Sequence, residues 1–257
     1  MLSFLKFVRI AFWVVLMTLL FSLGAATSVI TYNKNIRWED IATDDNISSD
    51  STIAERETIN KSRNSAVKIS SMGLNFFAGS STMTGTYFVA KERHYVLTVH
   101  HGILGPCFFI VVSHDDQTYS CKEYVTMDKI NDYVIIELEG EIFNRDPIRI
   151  PQDLPRGNQW KKSYSILNKI IYTGYPNTVG PLTLRGDVVG YNKDEYLYVF
   201  SHAYGGASGS GVFSKQGKYI GYVVAIDVGS TDLGVDVLEN IVIVAPALNI
   251  DWNSVLQ

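Results

Sequence analysis

The feature that most limits the fold of this 257-residue chain is a series of short apolar runs separated by turn residues. From about residue 66 the runs are rich in Val, Ile, Tyr, Phe and Thr, which favour β-strands. No helical pattern lies between them, and many short strands at regular spacing are typical of sandwiches and barrels. The sequence therefore predicts an all-β protein.

The runs fall into two sets of six, joined by a proline-rich segment. AVKISSM, GTYFVAK, HYVLTV, CFFIVVS, TYSCKEYVTM and DYVIIELE form the first set, and SYSILNKIIYTGY, LTLRGDVVGY, EYLYVFS, GVFSK, KYIGYVVAI and NIVIVAP form the second. Between them, IRIPQDLPRGNQWKK breaks the strand pattern. We predict two six-stranded antiparallel β-barrels within residues 66–257, over about residues 66–145 and about 163–245. The final residues, APALNIDWNSVLQ, predict only a short closing helix.

The first 65 residues differ in character. Lys6 and Arg9 precede an apolar run from Ile10 to Ile30 that is long enough for a bilayer, which needs about 20 residues, whereas a cleaved signal has an apolar region of about 7 to 15. We predict a transmembrane anchor at residues 1–30, with a cleaved signal peptide as the alternative. The basic flank holds the N-terminus in the cytoplasm, so that the rest of the chain is expected on the other side of the membrane, or secreted if the segment is cleaved.

Residues 31–65 are polar and mixed in charge, and they are interpreted as a stalk, within which STIAERETINKS is compatible with a short helix. The net charge of −4 and the absence of a basic run argue against nucleic-acid binding. Two cysteines and scattered histidines show no metal-ligand spacing, and no cofactor is expected.

The segment HAYGGASGSGVF contains the first candidate chemistry. A serine attacks a carbonyl when a base takes its proton and donors stabilise the resulting oxyanion. Glycines allow consecutive N–H groups to point at one place. Ser208 fits as the nucleophile, with an oxyanion hole built from Gly206, Ala207 and Ser208 and with the N–H groups of Gly206 and Ser208 as its donors. On its own, the segment favours a glycine-rich hairpin turn with incidental serines, and only its partners elsewhere in the chain favour the catalytic interpretation.

The first set of strands contains candidates for the base that would take the serine proton and for the residue that would orient this base. YVLTVHHGI places His100 and His101 directly after an apolar strand, and INDYVIIELEG places Asp132 at the start of another. An aspartate there also commonly caps a turn. No histidine follows Ser208, which excludes an α/β-hydrolase, in which the histidine comes after the serine.

Together these segments resemble the chymotrypsin/trypsin-like serine proteases, in which His, Asp and Ser occur in that order. VLTVHHGI is similar to the family's Leu-Thr-x-x-His and selects His101, NDYVIIEL selects Asp132, and GASGSGVF selects Ser208. The resemblance covers about residues 82–226, and its short spacings are similar to bacterial or viral members. It implies a chymotrypsin-like double barrel with a Ser-His-Asp triad in the crevice between the barrels.

The resemblance also implies a substrate pocket. It puts His202 near the base of the pocket for the residue before the cut, with Ala225 and Ile226 along the wall. A histidine there favours a polar or acidic side chain, whereas Asp227 would attract a basic one; His202 is equally compatible with a structural role. Where digestive members carry an aspartate before the nucleophile, this chain has Ala207. We therefore expect an oxyanion hole that does not depend on propeptide cleavage.

The sequence leaves three questions open. A tight hairpin register would set Cys107 opposite about residue 124, too far from Cys121 for a disulfide, whereas a looser loop would permit one. The oligomeric state is not indicated. Two function classes are compatible with the residues: a membrane-tethered serine endopeptidase acting on polypeptides, and a catalytically silent trypsin-fold binding or structural module.

Overall fold

The structure, a computed structural model, describes residues 51–74, 79–142, 144–231 and 234–257, and over 225–231 and 234–239 it describes the backbone alone. The predicted anchor at residues 1–30 and the first part of the predicted stalk lie outside these residues. None of the helices in the described ranges is long and apolar enough to cross a membrane.

Six strands form the first barrel. They are β1 (Ala66–Met72), β2 (Ser80–Ala90), β3 (Arg93–Val99), β4 (Ile110–His114), β5 (Gln117–Asp128) and β6 (Tyr133–Leu138). Their order is β1-β4-β5-β6-β3-β2, and pairing of β2 with β1 closes the barrel. All these pairs are antiparallel, while a short seventh strand, β7 (Ile148–Arg149), adds to β2 in parallel.

The second barrel also has six antiparallel strands. They are β8 (Lys169–Gly174), β9 (Leu182–Tyr191), β10 (Leu197–Phe200), β11 (Gly211–Ser214), β12 (Tyr219–Thr231) and β13 (Gly234–Pro246). The closed order is β10-β13-β12-β11-β8-β9. The prediction of two six-stranded antiparallel barrels is therefore confirmed, and each strand overlaps one of the runs seen in the sequence.

An apolar interface joins the barrels. All six residues of β6 are buried, and the first barrel encloses side chains such as Val96 and Ile135. Tyr219 and Tyr222 of β12 belong to the same buried cluster although they come from the second barrel, whose own core includes Val199 and Val244. Because the two barrels share buried side chains, they form one compact body.

Helix α1 (Ile53–Ser65) packs on the second barrel. Thr52 caps its N-terminus, where the threonine Oγ1 accepts a hydrogen bond from the N–H of Glu55. Ile59 packs on Ile171 of β8, and Ser62 Oγ donates to Thr173 Oγ1 at 2.8 Å. These residues lie in the segment interpreted as a stalk, yet they belong to the folded domain, which begins before residue 66. Two further short helices are α2 (Gln159–Ser163) and the expected closing helix, α3 (Asn253–Leu256).

A disulfide joins Cys107 and Cys121, with Cα atoms 5.4 Å apart. The hairpin register is the tight one considered in the sequence, with His114 opposite Gln117. Cys107 does not continue that ladder, because it begins a 3-10 turn, Cys107–Phe109, ahead of β4. The turn takes Cys107 out of the position opposite residue 124, and Cys107 is bonded to Cys121 instead.

A buried polar cluster connects α1 with both barrels. His114, at the end of β4, is 5% exposed, and its Nδ1 lies 3.4 Å from both Arg145 Nη2 and the hydroxyl of Tyr175. Its Nε2 lies 2.8 Å from the carboxylate of Asp115. Arg145 also donates to the side chain of Asn64 next to the end of α1. Burial, with the neighbouring Arg145 guanidinium, lowers the pKa of His114 to about 3.

His114 makes the stability of the domain sensitive to acid. In the unfolded chain the imidazole of His114 binds a proton below its ordinary pKa of 6.5, whereas in the folded chain it stays neutral until about pH 3. The free energy of unfolding should therefore fall as the pH drops through this range, by up to about 1.4 kcal/mol per pH unit from this group. Urea unfolding of the wild type and His114→Gln between pH 7 and pH 4 should show the smaller pH slope in the variant. His202→Gln, at an exposed histidine, should keep the wild-type slope, and equal slopes in all three proteins would contradict the prediction.

Candidate active site

His101 and Asp132 come together because β3 and β6 are antiparallel neighbours. Val99, at the end of β3, pairs with Tyr133, at the start of β6. The ladder continues for one further bond, from the N–H of His100 to the carbonyl oxygen of Asp132 at 3.1 Å. The residues that follow β3 and precede β6 are therefore held at the same edge of the first barrel.

The Asp132 carboxylate holds His101 at two points. Its Oδ1 accepts the backbone N–H of His101 at 2.8 Å, and its Oδ2 lies 2.6 Å from Nδ1 of the imidazole. Asp132 itself has a left-handed backbone, with φ of +54°. A carboxylate at Nδ1 favours the tautomer in which that nitrogen carries the proton, so that Nε2 is the nitrogen able to accept one.

Ser208 lies in the loop between β10 and β11 and shares a cleft with His101. The cleft has a volume of about 360 Å³. It is lined by His101, Ala203, Tyr204, Gly205, Ala207, Ser208, Val223 and Val224. The structure thus brings His101, with its partner Asp132, and Ser208 to one crevice, although they belong to different barrels.

The hydroxyl of Ser208 points to a backbone carbonyl in this structure. Ser208 Oγ donates to the carbonyl oxygen of Val224 at 2.9 Å. Val224 lies at a register shift in β12, between Val223 and Ala225, which removes it from the β13 ladder. Within the described residues no hydrogen bond joins Ser208 to His101.

The loop has two unused amide donors. Within the described part of the chain, the N–H groups of Gly206 and Ser208 make no hydrogen bond, whereas the N–H of Ala207 donates to Tyr204 O at 3.0 Å. Of the three residues predicted to build an oxyanion hole, Gly206 and Ser208 therefore offer donors and Ala207 does not. Gly206 has φ of +95°, and a Cβ there would lie 2.8 Å from the carbonyl oxygen of Tyr175, so that glycine is required.

The three residues predicted for substrate binding have different outcomes. The side chain of His202 is exposed and does not line the cleft; its carbonyl oxygen accepts a hydrogen bond from the Tyr172 hydroxyl. The neighbouring Ala203 lines the cleft instead. The backbones of Ala225 and Ile226 lie in β12, paired with β13, and their side chains are outside the described part of the structure. Among the described residues no group of three or more His, Cys, Asp or Glu side chains could hold a metal ion.

Sequence reasoning missed the contacts by which each barrel holds a segment of the other. Thr84 N–H and Thr86 Oγ1 of β2 donate to Ser208 O and Gly209 O, at 3.0 and 2.9 Å. In the other direction, the hydroxyl of Tyr222 in β12 donates to Asn131 O, next to Asp132, at 2.5 Å. Nothing in the sequence indicates these contacts, because they depend on how the barrels pack.

Comparison with solved structures shows the same fold. A serine endoprotease from Yersinia pestis matches with a TM-score of 0.56 and 16% identity, over 77% of this chain and 64% of that one. Two structures of the HtrA-type protease AlgW with a tripeptide match with TM-scores of 0.56 and identities of 15% and 16%, each over 76% of this chain and 60% of AlgW. This chain thus spans less than two thirds of the length of these proteins.

No protein-family model matches the sequence, and no curated protein matches it. The structural neighbours show that the chain has the trypsin-like double-barrel fold of HtrA-type serine proteases.

The Ser208 loop approaches β2 so closely at Gly209 that a side chain at this position should destabilise the domain. A Cβ at Gly209, where φ is +88°, would lie 2.0 Å from the carbonyl oxygen of Thr84. Gly209→Ala should lower the free energy of unfolding by at least about 3 kcal/mol, because a left-handed backbone alone costs about 1 to 3 kcal/mol and the clash adds to it. In Gly205→Ala the nearest atom is 3.7 Å away, and the change should stay within about 1 kcal/mol. Urea unfolding measures both, and equal losses would show that the close approach is not the cause.

Proposed function

We propose that the protein is a serine endopeptidase, with Ser208 as nucleophile, His101 as general base and Asp132 as the residue that orients His101. One observation carries the proposal: His101, which is bonded to Asp132, lines the same cleft as Ser208, whose loop has two amide donors without partners in the described part of the chain. The trypsin-like fold shared with serine proteases supports it. Polypeptides are the proposed substrates.

The first chemical step is attack on the scissile carbonyl. Rotation about the Cα–Cβ bond of Ser208 turns its hydroxyl from the Val224 carbonyl towards His101, and hydrogen bonds of this kind are often unformed in empty sites. Nε2 of His101 takes the hydroxyl proton as Ser208 Oγ bonds to the carbonyl carbon. Asp132 stabilises the imidazolium that results, through the 2.6 Å contact at Nδ1.

The second part of the reaction uses the free amides of the loop. The carbonyl oxygen becomes an oxyanion, and the N–H groups of Gly206 and Ser208 donate to it. His101 then gives its proton to the leaving amine, and the peptide bond breaks. A water molecule gives a proton to His101 and attacks the acyl carbon; the bond between Ser208 Oγ and that carbon then breaks, and His101 returns the proton to Oγ, so that the acid product leaves and the enzyme is restored.

The lining of the cleft indicates the side chain that precedes the cut. Ala203, Ala207, Val223 and Val224 supply small apolar surfaces, and no Asp, Glu, Lys or Arg side chain lines the cleft in the described part of the chain. We propose a small or medium apolar residue at this position, in place of the polar, acidic or basic preferences considered from His202 and Asp227.

The tethering of the enzyme is proposed from the sequence alone. The apolar run at residues 10–30 behind Lys6 and Arg9 supports a membrane anchor or a signal peptide, with the catalytic domain on the non-cytoplasmic side.

One observation favours the second candidate, a catalytically silent binding or structural module. Ser208 Oγ is bonded to Val224 O, and a hydroxyl that stayed there would not meet the base. This candidate predicts a folded protein that binds polypeptides without forming an acyl-enzyme.

A fluorophosphonate probe distinguishes the two candidates, because it labels only a serine activated by a base. The wild type should be labelled, and Ser208→Ala should not be. Ser214→Ala is the matched control at the other end of β11, since Ser214 is buried and its hydroxyl oxygen accepts the N–H of Gln216, away from the loop, and this variant should still be labelled. A folded wild type that stays unlabelled would reject the endopeptidase and support the module.

Cleavage of a peptide library should reveal the apolar preference. Peptides with Ala, Val or Leu before the cut should exceed those with Lys, Arg, Asp or Glu by at least about 100-fold in kcat/KM, because an unpaired charge is costly to bury among apolar side chains. Ala203→Asp places a carboxylate in the lining and should shift the preference towards Lys and Arg. A wild type that prefers charged residues would contradict the assignment of the cleft.

A further inference from the structure

Thr84, in β2 of the first barrel, is a fully buried polar residue that makes hydrogen bonds to the Ser208 loop and to the residue that follows β8. Its side chain connects two segments of the second barrel, because Oγ1 donates to Gly206 O at 2.7 Å and accepts the N–H of Tyr175 at 2.9 Å. Its backbone N–H donates to Ser208 O at 3.0 Å, as noted above. One residue of the first barrel is therefore bonded to the second barrel at three points.

Two of these three bonds are made to the peptide units next to the free N–H groups of Gly206 and Ser208. Thr84 binds the carbonyl oxygens of Gly206 and Ser208. Each of these carbonyl groups lies in the peptide unit that comes directly after the free N–H group of the same residue. The peptide units that contain those N–H groups are held by other bonds: Gly205 O accepts the N–H of Asn177 at 2.6 Å, and Ala207 O accepts the hydroxyl of Ser210 at 2.6 Å. Every peptide unit from Gly205 to Gly209 is thus bonded through its carbonyl oxygen, and Thr84 provides two of the bonds.

Thr84 is itself held in place from within the first barrel. The Thr98 hydroxyl of β3 donates to Thr84 O at 2.8 Å, and both threonines are fully buried. The strand that leads to His101 is therefore bonded directly to the residue that holds the Ser208 loop.

We infer that Thr84 is a positioning residue for the oxyanion hole, and that its hydroxyl, bonded to Gly206 O from the opposite barrel, fixes the Gly206–Ala207 peptide unit that lies between the two free N–H groups. The inference rests on the proposed function and adds a residue that does not line the cleft. Without the hydroxyl, the buried Tyr175 N–H and Gly206 C=O both lose a partner, which favours rearrangement of the Gly206–Ala207 peptide unit. Donors displaced by a fraction of an ångström stabilise an oxyanion much less effectively.

Thr84→Val removes the hydroxyl and keeps the shape of the side chain. Its second-order rate of fluorophosphonate labelling should fall about 10- to 100-fold, since the phosphoryl oxygen of the probe needs the same donors. For a peptide with valine before the cut, kcat should fall by a similar factor, while KM should stay within about twofold because Thr84 does not touch the cleft. The pH midpoint of the labelling rate should be unchanged, since Thr84 makes no hydrogen bond to His101. Thr84→Ser keeps the hydroxyl and should restore the rate to within about threefold of the wild type.

Thr173→Val is the matched control. Thr173 is 1% exposed, and its hydroxyl bonds Ser62 and Thr183, away from the loop. It should lose stability in urea unfolding and keep the wild-type labelling rate. If Thr84→Val does not fold, Thr84→Ala and Thr84→Ser give the same comparison, because both lose the methyl group and only the alanine variant loses the hydroxyl.

The outcomes separate this inference from the proposed function. A wild type that is not labelled contradicts both. A wild type that is labelled, with a folded Thr84→Val labelled at the same rate, contradicts the role of Thr84 alone. A fall that Thr84→Ser does not restore, or one that Thr173→Val shares, would mean that Thr84 acts only through stability, and would also reject the inference.

Discussion

The contact between the two barrels is the constraint on which the candidate site depends. His101 and Asp132 need only the register of β3 and β6, both in the first barrel, but Ser208 comes from the second barrel. Each barrel holds the segment that the other contributes: Thr84 bonds the Ser208 loop, and Tyr222 bonds the turn that ends at Asp132. The proposed reaction requires its groups to be positioned to well within 1 Å. Direct hydrogen bonds between the barrels fix these positions more precisely than an apolar interface alone.

Close packing at this contact explains several residue choices. Glycine is required at Gly209, because any side chain would meet the backbone of Thr84. Tyr222 is buried, which raises the pKa of its phenol and keeps the hydroxyl as a donor to Asn131 O. The cluster of His114, Arg145 and Tyr175 extends the hydrogen-bond network towards α1. Helix α1 is thereby connected to Tyr175, which follows β8 and is bonded to Thr84.

Much of the fold was predictable because strand formers, turn residues and alternation are local properties. All twelve runs became strands of the two barrels, and LTLRGDVVGY matches β9 residue for residue. The sequence was insufficient where the environment of a segment was needed. Helix α1 is polar as a sequence, and it belongs to the domain only because Ile59 and Ser62 meet β8. The disulfide depended on the 3-10 turn at Cys107, which interrupts the ladder that the hairpin register implies.

For the candidate site, the sequence alone determined which residues to propose, namely His101, Asp132, Ser208 and the glycines around the serine, because residue type and order along the chain carry that information. Only the tertiary structure decided that His101, bonded to Asp132, and Ser208 line one cleft, that Ala203 faces it while His202 is exposed, and that Ala207 is not a free donor. The physical reason is that hydrogen-bond partners and burial are set by the packing of strands distant in sequence. Thr84 illustrates this: it lies 122 residues from Gly206 along the chain, and nothing in the intervening sequence indicates that the two are bonded.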